Sequence, residues 1–230
     1  AKHYYATSPA LGIGRYPPLL AVLQAPFYTA LGVCPFAARL ATAFVWLAGC
    51  MFLYEAVRTA LGRGPAAFAA GSLVAGYASA RWGAEVMLEL PATAFITAVA
   101  YIFARYCETG KRSLVTWAVV LSAAGAWVKQ PAALVVIPVA AGVIARERSL
   151  RAACRVLWPG FLAWTVTIAP LALLSLSFGR ANLMLAGVGR HYEMGSWGNW
   201  LFYVTHIPTY YMGCLLYTSP SPRDRTRSRM

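Results

Sequence analysis

VLWPGFLAWTVTIAPLALLSLSF, residues 156–178, contains 23 residues and no charged side chain. An α-helix needs about 20 apolar residues to cross the hydrocarbon core of a bilayer. This stretch therefore predicts a membrane-spanning helix. Further apolar runs are Phe36–Val57, Pro65–Ala80, Val86–Ala104, Leu114–Val128, Pro131–Ala145 and Trp197–Gly213. Several of these runs are short, so they must tilt or include flanking residues, and one of them fits a re-entrant segment.

The composition supports the same fold class. Of the 230 residues, 60% are hydrophobic and 12% are charged, whereas a soluble domain carries roughly 25% charged residues. We therefore expect an all-α, polytopic transmembrane helix bundle with about six to seven membrane helices and a short interfacial helix on the outer face. The net charge of +13 does not indicate a nucleic-acid partner, because the cations are dispersed between the apolar runs. The five cysteines show neither metal-ligand spacing nor a disulfide framework.

A break at Lys129-Gln130-Pro131 divides two of the apolar runs. One helix over residues 114–145 would contain 32 residues and extend about 48 Å, longer than the hydrocarbon core. Proline disfavours helical backbone in the residue before it. The sequence therefore predicts a tight hairpin with Lys129 and Gln130 at its tip.

The polar segments between the apolar runs, which we call breaks, fall on alternate sides of the membrane. The cations divide unequally between the two sides. Nine of them lie in three breaks: Arg58, Arg63, Arg105, Lys111, Arg112, Arg146, Arg148, Arg151 and Arg155. The opposite breaks hold four: Arg81, Lys129, Arg180 and Arg190. The positive-inside rule then predicts that the nine-cation side is cytoplasmic and that Lys129 faces outward.

The N-terminal segment Arg15-Tyr16-Pro17-Pro18-Leu19 marks the mouth of a helix. Two consecutive prolines cannot lie inside a helix, but the second can open one. The charge pattern predicts that this mouth is on the outer side. We expect residues 1–16 to end a first outer loop, residues 17–33 to form an interfacial or short membrane helix, and residues 34–213 to form the bundle.

The outer side supplies the candidate functional residues. Glu89 should lie in the first turn of a membrane helix, where a carboxylate can accept a proton or simply complement the helix dipole. Lys129 has two interpretations. Its ammonium group binds a phosphate as a point charge, or its side chain simply extends to the membrane–water interface. Arg15 and Tyr16 are candidates to contact a phosphate and the face of a lipid or sugar. The alternative is that they anchor the helix at the membrane interface. His191 is a weaker candidate in the outer loop 179–196, because a lone histidine is more often structural or solvent-exposed.

Several short motifs resemble those of the protein O-mannosyltransferase-like GT-C glycosyltransferases, a group that includes the aminoarabinose transferase of lipid A. The N-terminal motifs are Tyr16-Pro17-Pro18-Leu19, Phe27–Gly32 and Ala37-Ala38-Arg39-Leu40. The segment from Arg81 to Pro91 follows, with Glu89-Leu90-Pro91 where the family usually has Asp-x-Pro. Gly125-Ala126-Trp127-Val128-Lys129 matches a Gly-x-x-x-Lys that precedes a proline-containing helix. The resemblance covers approximately residues 4–178.

This resemblance implies an inverting transferase on the extracytoplasmic face of the plasma (inner) membrane. Its donor would be a sugar on a polyprenyl phosphate, and its acceptor a glycan, lipid or protein hydroxyl. Within the region of resemblance, Glu89 is the candidate catalytic residue and would assist in positioning acceptor or substrate, while Arg15, Tyr16, Arg81 and Lys129 would bind substrate. His191 lies beyond the region of resemblance and is a further candidate for substrate binding. The sequence does not decide whether the protein uses a cofactor such as a divalent cation.

The chain departs from the family pattern in two places. The family's principal catalytic acid lies in the first outer loop, but residues 1–16 contain no Asp or Glu. The second departure is Glu89, which stands where Asp is usual. We expect residues 1–213 to be an inactive fragment of a longer protein. Residues 214–230, CLLYTSPSPRDRTRSRM, look like a translated sequencing-library adapter, and the alternative is a genuine basic tail.

Two other functional classes compete with the transferase. A secondary transporter or lipid flippase would place ionisable groups or broken helices near the bilayer midplane. A non-catalytic scaffold subunit is the third possibility. Charges that lie at helix ends, and the lack of an internal repeat in the sequence, favour the transferase over the transporter.

Overall fold

The computed structural model describes residues 18–76, 79 and 88–186, and every secondary-structure element within these ranges is helical. The elements are α1 (Leu19–Leu31), α2 (Pro35–Leu61), α3 (Arg63–Ala75), α4 (Glu89–Thr109), α5 (Ser113–Ala126), a 3₁₀ segment (Gln130–Val135), α6 (Val136–Glu147) and α7 (Leu150–Ala186). The all-α class predicted from composition is confirmed.

Four of the described helical segments are long and apolar enough to cross a membrane. They are Pro35–Leu61, Glu89–Thr109, Gln130–Glu147 and Leu150–Leu173. Helices α1 and α5 are apolar but shorter. The apolar run that begins at Pro65 forms α3, which has 13 residues and extends about 20 Å, less than the hydrocarbon thickness.

Local sequence signals set the helix ends. Helix α1 begins directly after Pro18, whose carbonyl accepts the first helical hydrogen bond, from the Val22 N–H, at 3.1 Å. Pro35 occupies the first turn of α2, where its missing N–H costs nothing. Gly110 ends α4 in the left-handed conformation, and its N–H donates to the Tyr106 carbonyl at 2.8 Å.

Helices α2 and α4 form the largest helix–helix interface of the described residues, although α3 separates them in sequence. Gly49 makes this interface possible, because a Cβ atom at that position would lie 2.6 Å from the Ala94 Cα. The Thr97 hydroxyl donates to the Gly49 carbonyl at 2.8 Å. Small residues and interhelical hydrogen bonds are the usual means of joining helices in lipid.

A second apolar core joins α4, α5, α6 and α7. Val99, Val119, Val143 and Leu157 are among its buried members. Gly160 lets α7 approach α5 closely, because a Cβ there would lie 3.0 Å from the Val119 Cβ. This packing fixes the positions of α4, α5 and α6 relative to one another.

The described charges collect at two opposite ends of the bundle. The basic end contains Arg58, Arg63, Arg105, Lys111, Arg112, Arg146, Arg148, Arg151 and Arg155. Contacts across helices hold it together: Arg112 lies 3.7 Å from Glu147, and Arg146 donates to the Cys107 carbonyl at 2.7 Å. The other end, where α2 and α4 begin, holds Arg39, Glu89 and Lys129, and we call it the Glu89 end. The three basic breaks read from the sequence therefore lie together at one end of the described bundle, and Lys129 lies at the other. Arg81 and Arg190 of the opposite breaks lie outside the described residues.

The Gly49 contact predicts a selective loss of stability. Gly49→Ala should lower the free energy of unfolding by about 1–3 kcal/mol, because the new methyl group overlaps the α4 backbone. Gly71→Ala in α3 is the matched control, since a Cβ there meets no atom within 4 Å. Thermal unfolding in mild detergent measures both. Equal midpoints for the two variants would contradict close packing at Gly49.

Candidate functional site

The hairpin after α5 places Lys129 at the Glu89 end. Helix α5 stops at Ala126, and the N–H groups of Val128 and Lys129 both donate to the Gly125 carbonyl at 3.0 Å. Lys129 itself is extended, with φ −153° and ψ 125°, and the 3₁₀ segment begins at the next residue. The predicted hairpin at Lys129-Gln130-Pro131 is confirmed.

Gly125 is needed for this reversal because the two arms of the hairpin are in contact. A Cβ at position 125 would lie 3.1 Å from the Cβ atoms of both Ala132 and Phe95. The Ala132 N–H donates to the Lys129 carbonyl at 2.9 Å, which closes the tip. The position of Lys129 is thus fixed by backbone hydrogen bonds and not by its side chain.

Three distant parts of the chain meet beside the hairpin tip. The Leu19 N–H, at the start of α1, donates to the Trp127 carbonyl at 3.0 Å. Leu19, Leu88 and Phe95 pack against a small buried cluster that contains Val128. The mouth of α1, the mouth of α4 and the hairpin tip therefore form one surface.

Glu89 and Lys129 form an ion pair on this surface. The Lys129 Nζ donates to the Glu89 Oε1 across forty positions of sequence. The side chains are 28% exposed for Glu89 and 36% exposed for Lys129, so both are accessible to a ligand. Glu89 is the first residue of α4, as the sequence predicted, and its negative charge is favoured there by the helix dipole.

Trp127 ties the site to the last described helix. Its Nε1 donates to the Thr167 carbonyl in α7 at 3.0 Å. Thr167 lies three residues before Pro170, whose ring disturbs the preceding helical turn. The tryptophan therefore braces the hairpin tip against α7.

The interior between the two ends is neutral. The buried polar residues of the described ranges are Gln24, Thr42, Thr97 and Ser122. Gln24 is 8% exposed and accepts a hydrogen bond from the Tyr28 hydroxyl at 3.3 Å. It lies five positions after Leu19, about 7.5 Å along α1. Gln24 is the one amide side chain in that apolar helix, so the sequence alone could have marked it as a polar position facing the protein.

No group of three His, Cys, Asp or Glu side chains in residues 18–76, 79 and 88–186 is arranged to hold a metal ion.

The structure brings together some of the predicted site residues. Glu89 and Lys129 meet directly. Arg15 and Tyr16 lie outside the described residues, although Pro18, just after them, adjoins the hairpin tip through Leu19. Arg81 and His191 also lie outside the described residues.

One protein family matches most of the chain. The model of the dolichyl-phosphate-mannose-protein mannosyltransferase family matches residues 15–174, more than two thirds of the chain. The chain belongs to this family. It is therefore a multi-pass membrane protein of a glycosyltransferase family of the GT-C kind.

For this mannosyltransferase-family chain, the matched range includes both members of the Glu89–Lys129 pair and the α1 mouth that adjoins it. It also includes Arg15, Tyr16 and Arg81, whereas His191 lies beyond it. No curated protein and no solved structure matches the chain.

The ion pair predicts energetic coupling between the two mouths. In a double-mutant cycle, Glu89→Gln and Lys129→Met should couple by about 1 kcal/mol, because the pair is partly shielded from water. The matched control is Glu55 with Arg58, a more exposed pair within one helix, where we expect a few tenths of a kcal/mol. Chemical unfolding in detergent measures both cycles. Coupling no larger than that of the control would contradict the pairing.

Proposed function

We propose that this protein transfers a sugar from a polyprenyl-phosphate donor to an acceptor hydroxyl, with inversion at the anomeric carbon. The observation that carries the proposal is the Glu89–Lys129 ion pair, which places an acid and a cation side by side at the mouths of apolar helices. A lipid-linked sugar needs these features: a cation for its phosphate, a carboxylate for the acceptor, and apolar helices for its tail.

The charge distribution supports an extracytoplasmic site. The basic end carries nine cations of the described residues, whereas the Glu89 end has few. By the positive-inside rule the basic end faces the cytoplasm, and the Glu89 end then faces outward in the plasma (inner) membrane. The family description names a polyprenyl-type phosphate mannose and a protein acceptor, which supports a lipid-phosphate donor with a glycan, lipid or protein acceptor.

Lys129 binds the donor phosphate in this proposal, together with Arg15 and Tyr16 from the segment that leads into α1 and with Arg81 and His191. The lysine ammonium has three N–H donors, so it can contact a phosphate oxygen while it keeps a bond to Glu89. The extended backbone at position 129 and the brace through Trp127 hold this cation at the interface. The phosphate that leaves gains negative charge, and a fixed cation stabilises it.

Glu89 accepts the proton of the acceptor hydroxyl. The acceptor oxygen bonds to the anomeric carbon as the bond from that carbon to the phosphate oxygen breaks, and the phosphate departs with the electron pair. Attack opposite the leaving group inverts the anomeric centre. Glu89 is the carboxylate that the described residues supply at this end, since Glu55, Glu108 and Glu147 belong to the basic end.

The neutral interior weighs against a transporter. A transporter of the rival class would carry ionisable groups at the midplane. In the described part of the chain the buried polar residues are Gln24, Thr42, Thr97 and Ser122, none of which is ionisable near neutral pH, and the ion pairs lie at the two ends.

Donor binding should depend on Lys129 and not on Glu89. We expect Lys129→Gln to weaken binding of polyprenyl-phosphate mannose at least tenfold, which corresponds to about 1.4 kcal/mol. Glu89→Gln should bind the donor as well as or better than the unchanged protein, because it releases the lysine from its ion pair. Arg39→Gln removes an exposed cation from the N-terminal part of α2 and is the matched control. Unchanged donor affinity in Lys129→Gln would refute the assignment.

Sugar transfer should depend on Glu89. In the gene product that carries this sequence, Glu89→Gln should slow release of polyprenyl phosphate by about 100-fold at saturating donor, because the acceptor proton loses its receiving group. Glu89→Asp, the residue usual in the family, should retain measurable transfer. The assay uses proteoliposomes with labelled polyprenyl-phosphate mannose and a panel of hydroxyl acceptors. Full activity in Glu89→Gln would exclude this role for the carboxylate.

A further inference from the structure

A cleft opens between α4 and α5 at the basic end, far from the Glu89–Lys129 pair. Its volume is about 200 Å³, and it is lined by Tyr101, Ile102, Arg105, Thr109, Lys111 and Leu114. We call it the α4–α5 cleft. The mechanism proposed above does not use any of these residues.

The α4–α5 cleft is polar at one end and apolar at the other. Tyr101, Arg105 and Thr109 follow one another at four-residue spacing, so they share a face of α4. From Tyr101 to Thr109, at the end of the helix, this face rises about 12 Å along the helix axis. Lys111 lies beside the polar end, in the turn between the two helices.

The apolar walls of the cleft are supported from behind. Ile102 and Leu114 pack against the main buried core. Phe52 of α2 stacks on Tyr101 with 5.8 Å between ring centroids and 28° between planes. The apolar wall of the cleft is therefore built by the packing of α2, α4 and α5.

Positive charge at this end exceeds the carboxylates that could neutralise it. The described acids here are Glu55, Glu108 and Glu147, and each already has a cationic partner: Arg58, Arg105 and Arg112, respectively. Lys111 has no carboxylate partner within the described ranges. Its ammonium, at the mouth of the cleft, is thus available to an anion.

We propose that the α4–α5 cleft binds an anionic phospholipid from the surrounding leaflet. The headgroup phosphate lies between Lys111 and the guanidinium of Arg105, and an acyl chain follows Tyr101, Ile102 and Leu114. Basic pockets between membrane helices are suited to such headgroups. A free phosphate has no chain for the apolar wall, and a zwitterionic lipid has less net charge for Lys111, so the cleft favours a lipid with both features.

Native mass spectrometry of the full chain, released from mixed phosphatidylglycerol and phosphatidylcholine with identical acyl chains, tests this proposal. We expect phosphatidylglycerol to be retained at least threefold over phosphatidylcholine. Lys111→Gln should reduce that retention at least threefold, whereas Arg63→Gln, which removes the same charge at the same end outside the cleft, should not.

A second variant tests the shape of the cleft without changing charge. Thr109→Trp fills the polar mouth and should also reduce retention at least threefold. Thr165→Trp is its control, because Thr165 is likewise exposed and its hydroxyl likewise bonds a carbonyl one turn earlier. Thermal unfolding confirms that each variant remains folded.

Several results would overturn the lipid assignment. Equal retention of the two lipids would show no anion preference. An equal loss of phosphatidylglycerol retention in Arg63→Gln would show that overall charge, and not the cleft, determines lipid binding. Displacement of phosphatidylglycerol by inorganic phosphate at equal concentration would assign the cleft to a free anion. Each of these outcomes is independent of donor binding at Lys129, because that site lies at the opposite end of the bundle.

Discussion

Lys129 reaches Glu89 because the chain reverses between Ala126 and Pro131. A continuous helix over this region would carry the lysine into the interior of an apolar segment. Pro131 has no N–H to continue such a helix and disfavours helical backbone before it. Gly125 then accepts the N–H groups of both Val128 and Lys129, and its missing side chain leaves room for Ala132. Both the Glu89–Lys129 ion pair and the hydrogen bond from Leu19 of α1 to Trp127 depend on this reversal.

The bundle separates two kinds of electrostatic surface by a neutral interior. At the Glu89 end, the carboxylate of Glu89 and the ammonium of Lys129 neutralise each other. In the proposed function, a donor phosphate would meet a lysine whose present partner is the proposed catalytic carboxylate. At the basic end the acids are already engaged and positive charge remains in excess. These two arrangements are the basis of the two proposals above, a reacting donor at the Glu89 end and a bound anionic lipid at the basic end.

Local signals explain what could be predicted from the sequence. Pro18, Glu89 and the Lys129-Gln130-Pro131 break each identify a helix end through backbone chemistry, and the structure has a helix end at each of them. The choice of helix neighbours could not be predicted in this way, because apolar residues cover most of the surface of each membrane helix and do not single out the face that meets a neighbour. It depends on close contacts such as Gly49 with Ala94, which become recognisable only when both helices are seen. The bond from Trp127 to Thr167 is of the same kind, since nothing near either residue indicates the other.

The direct contact between α2 and α4 has a consequence for biosynthesis. A ribosome delivers α2 first and α3 next, so the Gly49 surface of α2 enters the bilayer well before Ala94 and Thr97 exist as its partners. During that interval lipid covers the groove that α4 will fill, and the Gly49 carbonyl has yet to meet the Thr97 hydroxyl. The contact between α2 and α4 therefore forms only after both helices have been inserted.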